Sequence, residues 1–429
     1  LDPARYALAN DGEAIQDFIF VWPRVVDDRN ALGPESVGAP GAVAGFAAAL
    51  ERFGTLSWRE ALQPAIALAD KGMPTDWYQT LQIAYGVAAG LGRFAESAKT
   101  YLPGGAPAVS RSSHSPTRIR LGALPETLRR LAEAGPGDFY RGKLAELVLQ
   151  DLDGSAFQAD DLADYAATVA EVEGIPYRGK RICLASGLTG APTFARALRS
   201  IEASVDPAAG LSPETYVAWA EALREAYDHR LKALGHGAPA DELACTTHLS
   251  VVDAAGNMVA LTNTLLERFG SRYMGPATGI LFNNGMMWFD PEPGRPNSIA
   301  PGQRPLSNMC PTIVTDADGT PELATGASGG RRIVPAAFQI ASMAVDFGMD
   351  LEEIYATPRI DVSGGNEVSA DARLASSVVD ALSARFPTTR TFQSIGVRPF
   401  ASPQSVMRRD GMNSGAAVAE MATSKAIAQ

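Results

Sequence analysis

The hydrophobic period of this chain changes once, near residue 240, and that change limits what it can fold into. Upstream, apolar residues recur at helical spacing; from Thr246 onward they mostly alternate with polar ones. Between the two lies 235–244, GHGAPADELA, a stretch that reads as a flexible linker. A helical part and a strand-rich part bury their apolar faces together as layers, so an α+β fold with helices covering sheets is expected.

The upstream pattern predicts a helix over 42–53, with Val43, Phe46, Ala47 and Leu50 on one face and Gly54 as its stop. Ser57 is placed to cap a second helix carrying Leu62, Ala65, Ile66 and Ala69, with Pro64 as a kink or in its first turns. Residues 101–117 are rich in Pro, Gly and Ser and predict a loop. Helices are expected at 125–134, 138–152, 193–201 and 213–234, the last with Tyr216, Trp219, Ala220, Leu223 and Tyr227 as its stripe. Downstream, turns at 253–257 (DAAGN) and 316–320 (DADGT) join strands, and 311–315 with 322–325 form a hairpin. A Gly-rich bend at 326–330 precedes a helix over 333–347, and helix and short strand alternate on through 404–408.

A chain of 429 residues, 46% of them hydrophobic, buries one large core or two smaller ones. Its net charge of −11 gives no bulk attraction to nucleic acid or to an anionic membrane. No apolar run approaches the roughly 20 residues a spanning helix needs. The expected partner is a small molecule or a peptide-like one. Three cysteines, Cys183, Cys245 and Cys310, argue against a disulfide framework and favour a cytoplasmic over a periplasmic setting. His114, His229, His236 and His248 show no metal-ligand spacing, so no metal or other cofactor is expected.

Chemistry concentrates in three places. A hairpin symmetric about Ala255 sets Thr246 opposite Thr264, His248 opposite Thr262 and Ser250 opposite Ala260, with both threonines on one face. The pair is either an ordinary cross-strand contact or a nucleophile and its hydroxyl partner. A chain-terminal threonine carries its own base in its α-amine. In GASGGRR, 326–332, the glycines serve a turn or bring N–H groups to an oxyanion. In RPLSNMCP, 304–311, Ser307 and Asn308 close a local turn or hold a carboxylate or carbonyl, with a basic residue nearby.

In order along the chain, several segments resemble the γ-glutamyltransferase family of N-terminal-nucleophile hydrolases. They are APGAVAGF (39–46), FGTLSWREALQPAIALA (53–69), DLADY (161–165), TTHLSVVDAAGNMVALTNT (246–264), TGILFNN (278–284), RPLSNMCPTIV (304–314), TGASGGRRI (325–333) and PQSV (403–406). The resemblance implies a four-layer αββα sandwich and a precursor cut between Cys245 and Thr246. Its large piece would be 1–245 and its small piece 246–429, staying associated as one unit or as a dimer of such units. It further implies Thr246 as nucleophile, Thr264 as its partner, the Gly329 and Gly330 amides as oxyanion hole, and Ser307 with Asn308 on the acyl-side carboxylate. The family's upstream strands and carboxylate-binding arginine are not visible before Leu1, so the sandwich is expected to lack its N-terminal part.

Departures from the family pattern point to a branch. The positions that usually meet the α-amine of a γ-glutamyl donor are Leu266 and Trp288, and the residue after the Asn283–Asn284 pair, often Gln, is Gly285. An ammonium facing Leu and Trp forfeits charge-assisted bonds of about 1.5–3 kcal/mol each and regains at most a cation–π contact of ~0.5–2 kcal/mol. Asp290 and Glu267 are nearby acids, but strand alternation turns Glu267 away from that face. A donor without the amine, such as a glutaryl amide, fits better, as in an acylase of the cephalosporin or glutaryl type with little transferase activity. An uncleaved, inactive relative serving as a scaffold is the reading from another class. Met286, Met287, Trp288 and Phe289 either line the pocket, as their place in the motif order favours, or pack the core. The short interval between Phe289 and Arg304 is expected to leave the site open to bulky leaving groups.

Overall fold

The computed structural model describes residues 2–9, 22–110, 116–236, 247–394 and 399–428. Cys245, Thr246, His114 and most of the linker lie outside the described residues.

Helix α1 spans Ala42–Phe53 and stops at Gly54, as its pattern predicts. Its apolar stripe is only partly covered, however: Val43 packs against the core around Tyr140, while Phe46 faces outward. None of its residues is buried, and Phe46 is 40% exposed. The helix lies on the surface, tied at its start by Tyr140, whose hydroxyl donates to Pro40 O and accepts from Ala44 N. Helix α2, Trp58–Lys71, opens on a reciprocal Ser57–Glu60 cap, carries Pro64 within it and buries Ile66 and Ala69. Then come β1 (Met73–Pro74), α3 (Trp77–Ala88), α4 (Ala95–Tyr101), β2 (Arg118–Ile119, paired to β1) and α5 (Leu124–Ala134). The helix expected over 138–152 is two, α6 (Gly137–Arg141) and α7 (Lys143–Asp151). Asp138 causes the break: its carboxylate turns back to accept from the N–H groups of Lys143 and Leu144, filling the space a side chain at Gly142 would need. A short α8, Ala159–Ala163, follows.

The two period regimes do not fold as separate halves. Strands β3 (Ile175–Tyr177) and β4 (Lys180–Leu184), unforeseen in the helical part, join a six-stranded antiparallel sheet with strands from the far end of the chain. After them run α9 (Ala191–Ile201), α10 (Pro213–Ala233), the hairpin β5 (Thr247–Val252) and β6 (Met258–Asn263), β7 (Thr312–Thr315), β8 (Pro321–Ser328) and α11 (Ile333–Asp346). The chain ends through α12 (Leu351–Ala356), β9 (Ile360–Asp361), β10 (Val368–Asp371), α13 (Ser376–Ser383), β11 (Thr388–Thr391), β12 (Ser402–Arg409) and β13 (Met412–Ala417). The sheet order is β13-β12-β8-β7-β4-β3, with β9, β10 and β11 in a small sheet beside it.

Alternation along β8 decides what covers each face. Leu323 and Ala327 join the main core with α9, α10 and α11, while Gly326, on the other side, faces the β5–β6 hairpin. The expected stripe of α10 is fully realised: Tyr216, Trp219, Ala220, Leu223 and Tyr227 are all buried. Burial at ~1.5–3 kcal/mol per large side chain makes this the main stabilising layer. The fold is thus a mixed helix and sheet one, with the two-stranded hairpin packed on the face of the six-stranded sheet opposite α9, α10 and α11. The hairpin's outer face leaves Leu249, Val251 and Val259 exposed.

Residues 265–284 form a long irregular segment fastened to the helical body. Asp151, at the end of α7, accepts from Ala277 N (2.8 Å), Thr278 N (3.0 Å) and Thr278 Oγ1 (2.6 Å). Thr127 Oγ1 donates to Thr278 O, and Ser97 Oγ bridges Arg272 O and Met274 N. Asn283 pairs with both backbone groups of Gly38. Replacing buried Asp151 by Ala strips three donors of their acceptor, at ~1–3 kcal/mol each. Asp151→Ala is expected to lose about 3–5 kcal/mol in urea denaturation, and a loss under about 1 kcal/mol would show that the segment holds without this clasp.

Candidate functional site

The β5–β6 hairpin is in the register that symmetry about Ala255 predicts: His248 pairs with Thr262, Ser250 with Ala260, and Thr247 with Asn263 at the open end. His248 is buried, and its ring lies on Gly326 so closely that a Cβ there would sit 2.4 Å from it. Nδ1 meets Thr262 Oγ1 at 2.9 Å, Nε2 meets Ser250 Oγ at 2.9 Å, and Ser250 Oγ donates to Gln404 O on β12 at 3.3 Å. That last bond sets the direction of the rest. Ser250 must accept from Nε2–H, and in the neutral ring Nδ1 then accepts from Thr262. Burial agrees, pulling the imidazole down to about 4. The imidazole therefore braces the hairpin on the sheet.

Thr264 directly follows β6. Its Oγ1 accepts from Leu266 N at 2.7 Å, so its own hydrogen is directed elsewhere and is available to a second oxygen. The same bond tightens the turn and puts Leu266 at φ 76°, a left-handed conformation unusual for leucine. This turn, rather than continued strand alternation, carries Glu267 away: its carboxylate takes Arg272 and the amide of Asn284. Leu266 is buried with Ala31 and Met287, and Trp288 packs against that cluster and against Leu188, Leu234 and Leu306. Met286 and Phe289 pack with Tyr6, Val25 and Ile299 in the core. Gly285 lies against Gly38, where an added Cβ would come within 3.3 Å of its Cα, so its smallness serves close backbone packing. Asn297 ties the following short segment by bonds to Trp288 O and Leu306 N.

The Gly-rich bend stands at the end of β8. Gly329 has φ 141° and Gly330 φ 63°, both favouring glycine, and a Cβ on Gly329 would lie 2.8 Å from Ala401 Cα. Gly330 starts a 3₁₀ turn, Gly330–Arg332, that runs straight into α11, so the pair sits at a helix N-terminus.

Ser307 and Asn308 are buried just before β7. Their basic neighbour is not Arg304, whose guanidinium stacks on Tyr165 and donates to Ala166 O. It is Arg230, which donates to Ser307 O at 3.0 Å and to Asn308 Oδ1. Arg230 is buried on α10, and burial brings its guanidinium down to about 9. Sequence reading passed over it, although a signal existed: it continues the apolar stripe of α10 three residues beyond Tyr227, where a charge has no place without a partner. Among the described residues no group of three or more His, Cys, Asp or Glu is arranged to hold a metal, and no helix is long and apolar enough to cross a membrane.

The Gamma-glutamyltranspeptidase family model matches residues 14–242 and 236–429. The acylase ACY 1 proenzyme of Pseudomonas sp. (strain V22) is 32% identical over 417 residues, 88% of this chain and 73% of that protein. The glutathione hydrolase proenzyme of Escherichia coli (strain K12) is 30% identical over 75% of this chain and 63% of its own length. The fold matches that of cephalosporin acylase from Bacillus halodurans with a TM-score of 0.79, at 23% identity, over 91% of this chain and 78% of that one.

The neutral imidazole makes stability depend on pH. The unfolded chain protonates His248 near 6.5, the folded one only near 4, so its contribution is complete above about pH 6.5 and falls by ~1.4 kcal/mol per unit below that. Buried Asp361, raised to about 6, acts oppositely, its penalty easing as pH falls through 6. A His248→Gln variant separates the two. Between pH 7 and pH 5 wild type is expected to lose about 2 kcal/mol more than this variant in urea denaturation. Equal losses would mean the ring is not held neutral.

Proposed function

Because this chain belongs to the γ-glutamyltranspeptidase family, whose members cleave or transfer amide-linked acyl groups, we propose that it is a precursor cut between Cys245 and Thr246. The new amino-terminal threonine then cleaves amides whose acyl group ends in a carboxylate. The large piece is 1–245 and the small piece 246–429.

The hairpin carries this reading. Its register ends with Thr247 opposite Asn263, and the symmetry about Ala255, carried one step further, would set Thr246 opposite Thr264. The hydroxyl of Thr264, already accepting from Leu266 N, is set up to donate to the nucleophile's oxygen. In the proposed cycle the α-amine of Thr246 takes the hydroxyl proton as Oγ attacks the amide carbonyl. The Gly329 and Gly330 amides stabilise the oxyanion, the protonated amine passes its proton to the leaving amine, and water or an acceptor amine then releases the acyl group. "Proenzyme" in the relatives' names supports a maturation cut.

The acyl preference rests on Leu266 and Trp288. Both stand in apolar clusters, and the carboxylate that follows Leu266 in sequence, that of Glu267, is taken by Arg272 and Asn284. A γ-glutamyl ammonium would lose bonds of about 1.5–3 kcal/mol each in such surroundings. Glutaryl p-nitroanilide is therefore expected to exceed γ-glutamyl p-nitroanilide by at least about tenfold in kcat/KM. The reverse order would overturn the acylase assignment and favour a glutathione hydrolase activity like that named for the relatives.

On a denaturing gel the matured protein is expected as two bands, the smaller beginning with Thr at the first Edman cycle. Thr246→Ala should leave one uncut band and no turnover. A wild type that stays intact yet cleaves substrate would remove the α-amine base from the mechanism.

A further inference from the structure

The Arg230 guanidinium is a donor only, with no accepting atom. Whatever faces it from the Asn308 side chain must therefore be the amide oxygen, and the contact to Oδ1 is the only orientation that makes chemical sense. The other end of the amide is thereby fixed as a donor. Asn308 Nδ2 is buried, in a residue 1% exposed, and has no partner among the described residues. Trp288 Nε1, beside Leu306 and so next to this turn, is a second buried donor in the same state. Buried donors are rarely left without an acceptor, be it protein, water or ligand.

We infer that Arg230 is a positioning residue that locks the Asn308 amide with its N–H outward, so that this turn accepts only an acyl group ending in an acceptor such as a carboxylate. The inference rests on reading Ser307 and Asn308 as the acyl-end subsite. It assigns Arg230 no contact with substrate. Its bond to Ser307 O holds the backbone of the same turn, so one guanidinium sets both the position and the polarity of the subsite. Its charge also lies behind the amide dipole and strengthens donation to an anion.

Three variants test this: Arg230→Met, Arg230→Lys and Asn308→Asp. In Arg230→Met the amide is free to flip, and KM for the cleaved acyl anilide is expected to rise at least tenfold while kcat changes less than threefold. Arg230→Lys, which can still donate to Oδ1, should recover part of that loss. Asn308→Asp keeps Arg230 paired and the fold intact but presents an acceptor where a donor stood. It should raise KM for glutaryl anilide as much, and leave that for uncharged valeryl anilide within about twofold. A merely structural role predicts instead a lower melting temperature and a parallel fall in kcat for both anilides. That outcome, or an unchanged KM in Arg230→Met, overturns the inference. Both glutaryl and γ-glutamyl anilides carry a carboxylate at the acyl end, so a wild-type preference for the latter defeats the acylase assignment while the KM comparison still decides for Arg230. If wild type cleaves neither, calorimetric binding of glutarate to wild type and Arg230→Met decides, and equal binding, or none, sinks the inference.

Discussion

One imidazole resting on one glycine holds the proposed catalytic elements in place. His248 touches Gly326 of the central sheet and links Thr262, Ser250 and Gln404 through a single directed run of hydrogen bonds. Because Gly326 is three residues before Gly329 on the same strand and turn, the brace that seats the hairpin also sets its distance from the Gly-rich bend. Neither partner can change alone. A larger residue at 326 displaces the ring, and a charged ring would have to be buried without a counter-ion.

How much of this could be read from the sequence depended on how local each signal was. The hairpin register followed from a turn and two alternating segments, and the boundaries of α1, α10 and α11 from period and caps. What failed had partners far along the chain. The stripe of α1 looked like a core face, yet it is only partly covered and none of its residues is fully buried. Strands β3 and β4 are too short to stand out and exist because β7 offers them an edge. The Asp151 clasp bridges more than a hundred residues of sequence, so no window around either end reveals it. The basic neighbour of Ser307 and Asn308 was sought in the same motif and came from another helix.

The Met286–Phe289 run shows how position within a motif misleads. Those residues straddle the wall of the proposed pocket, but a 3₁₀ turn over Gly285–Trp288 sends successive side chains in different directions. Two of them go to the cluster around Tyr6 and Val25, one joins Leu266, and Trp288 spans the gap towards Leu306. In the proposed function, selectivity for the acyl end is thus split between an apolar wall and a polar turn supplied by different stretches of chain.

The central sheet draws β3 and β4 from before the linker and β7, β8, β12 and β13 from after it, with Arg181 through Leu184 laddered to Thr312 through Thr315. Severing the backbone between 236 and 247 would leave every rung of that ladder intact. Neither fragment retains a finished interior: α9 and α10 would show bare hydrocarbon without β8 and α11, and the later strands would show theirs. The fragments are consequently obligate companions, and either one made alone should be insoluble rather than merely inactive.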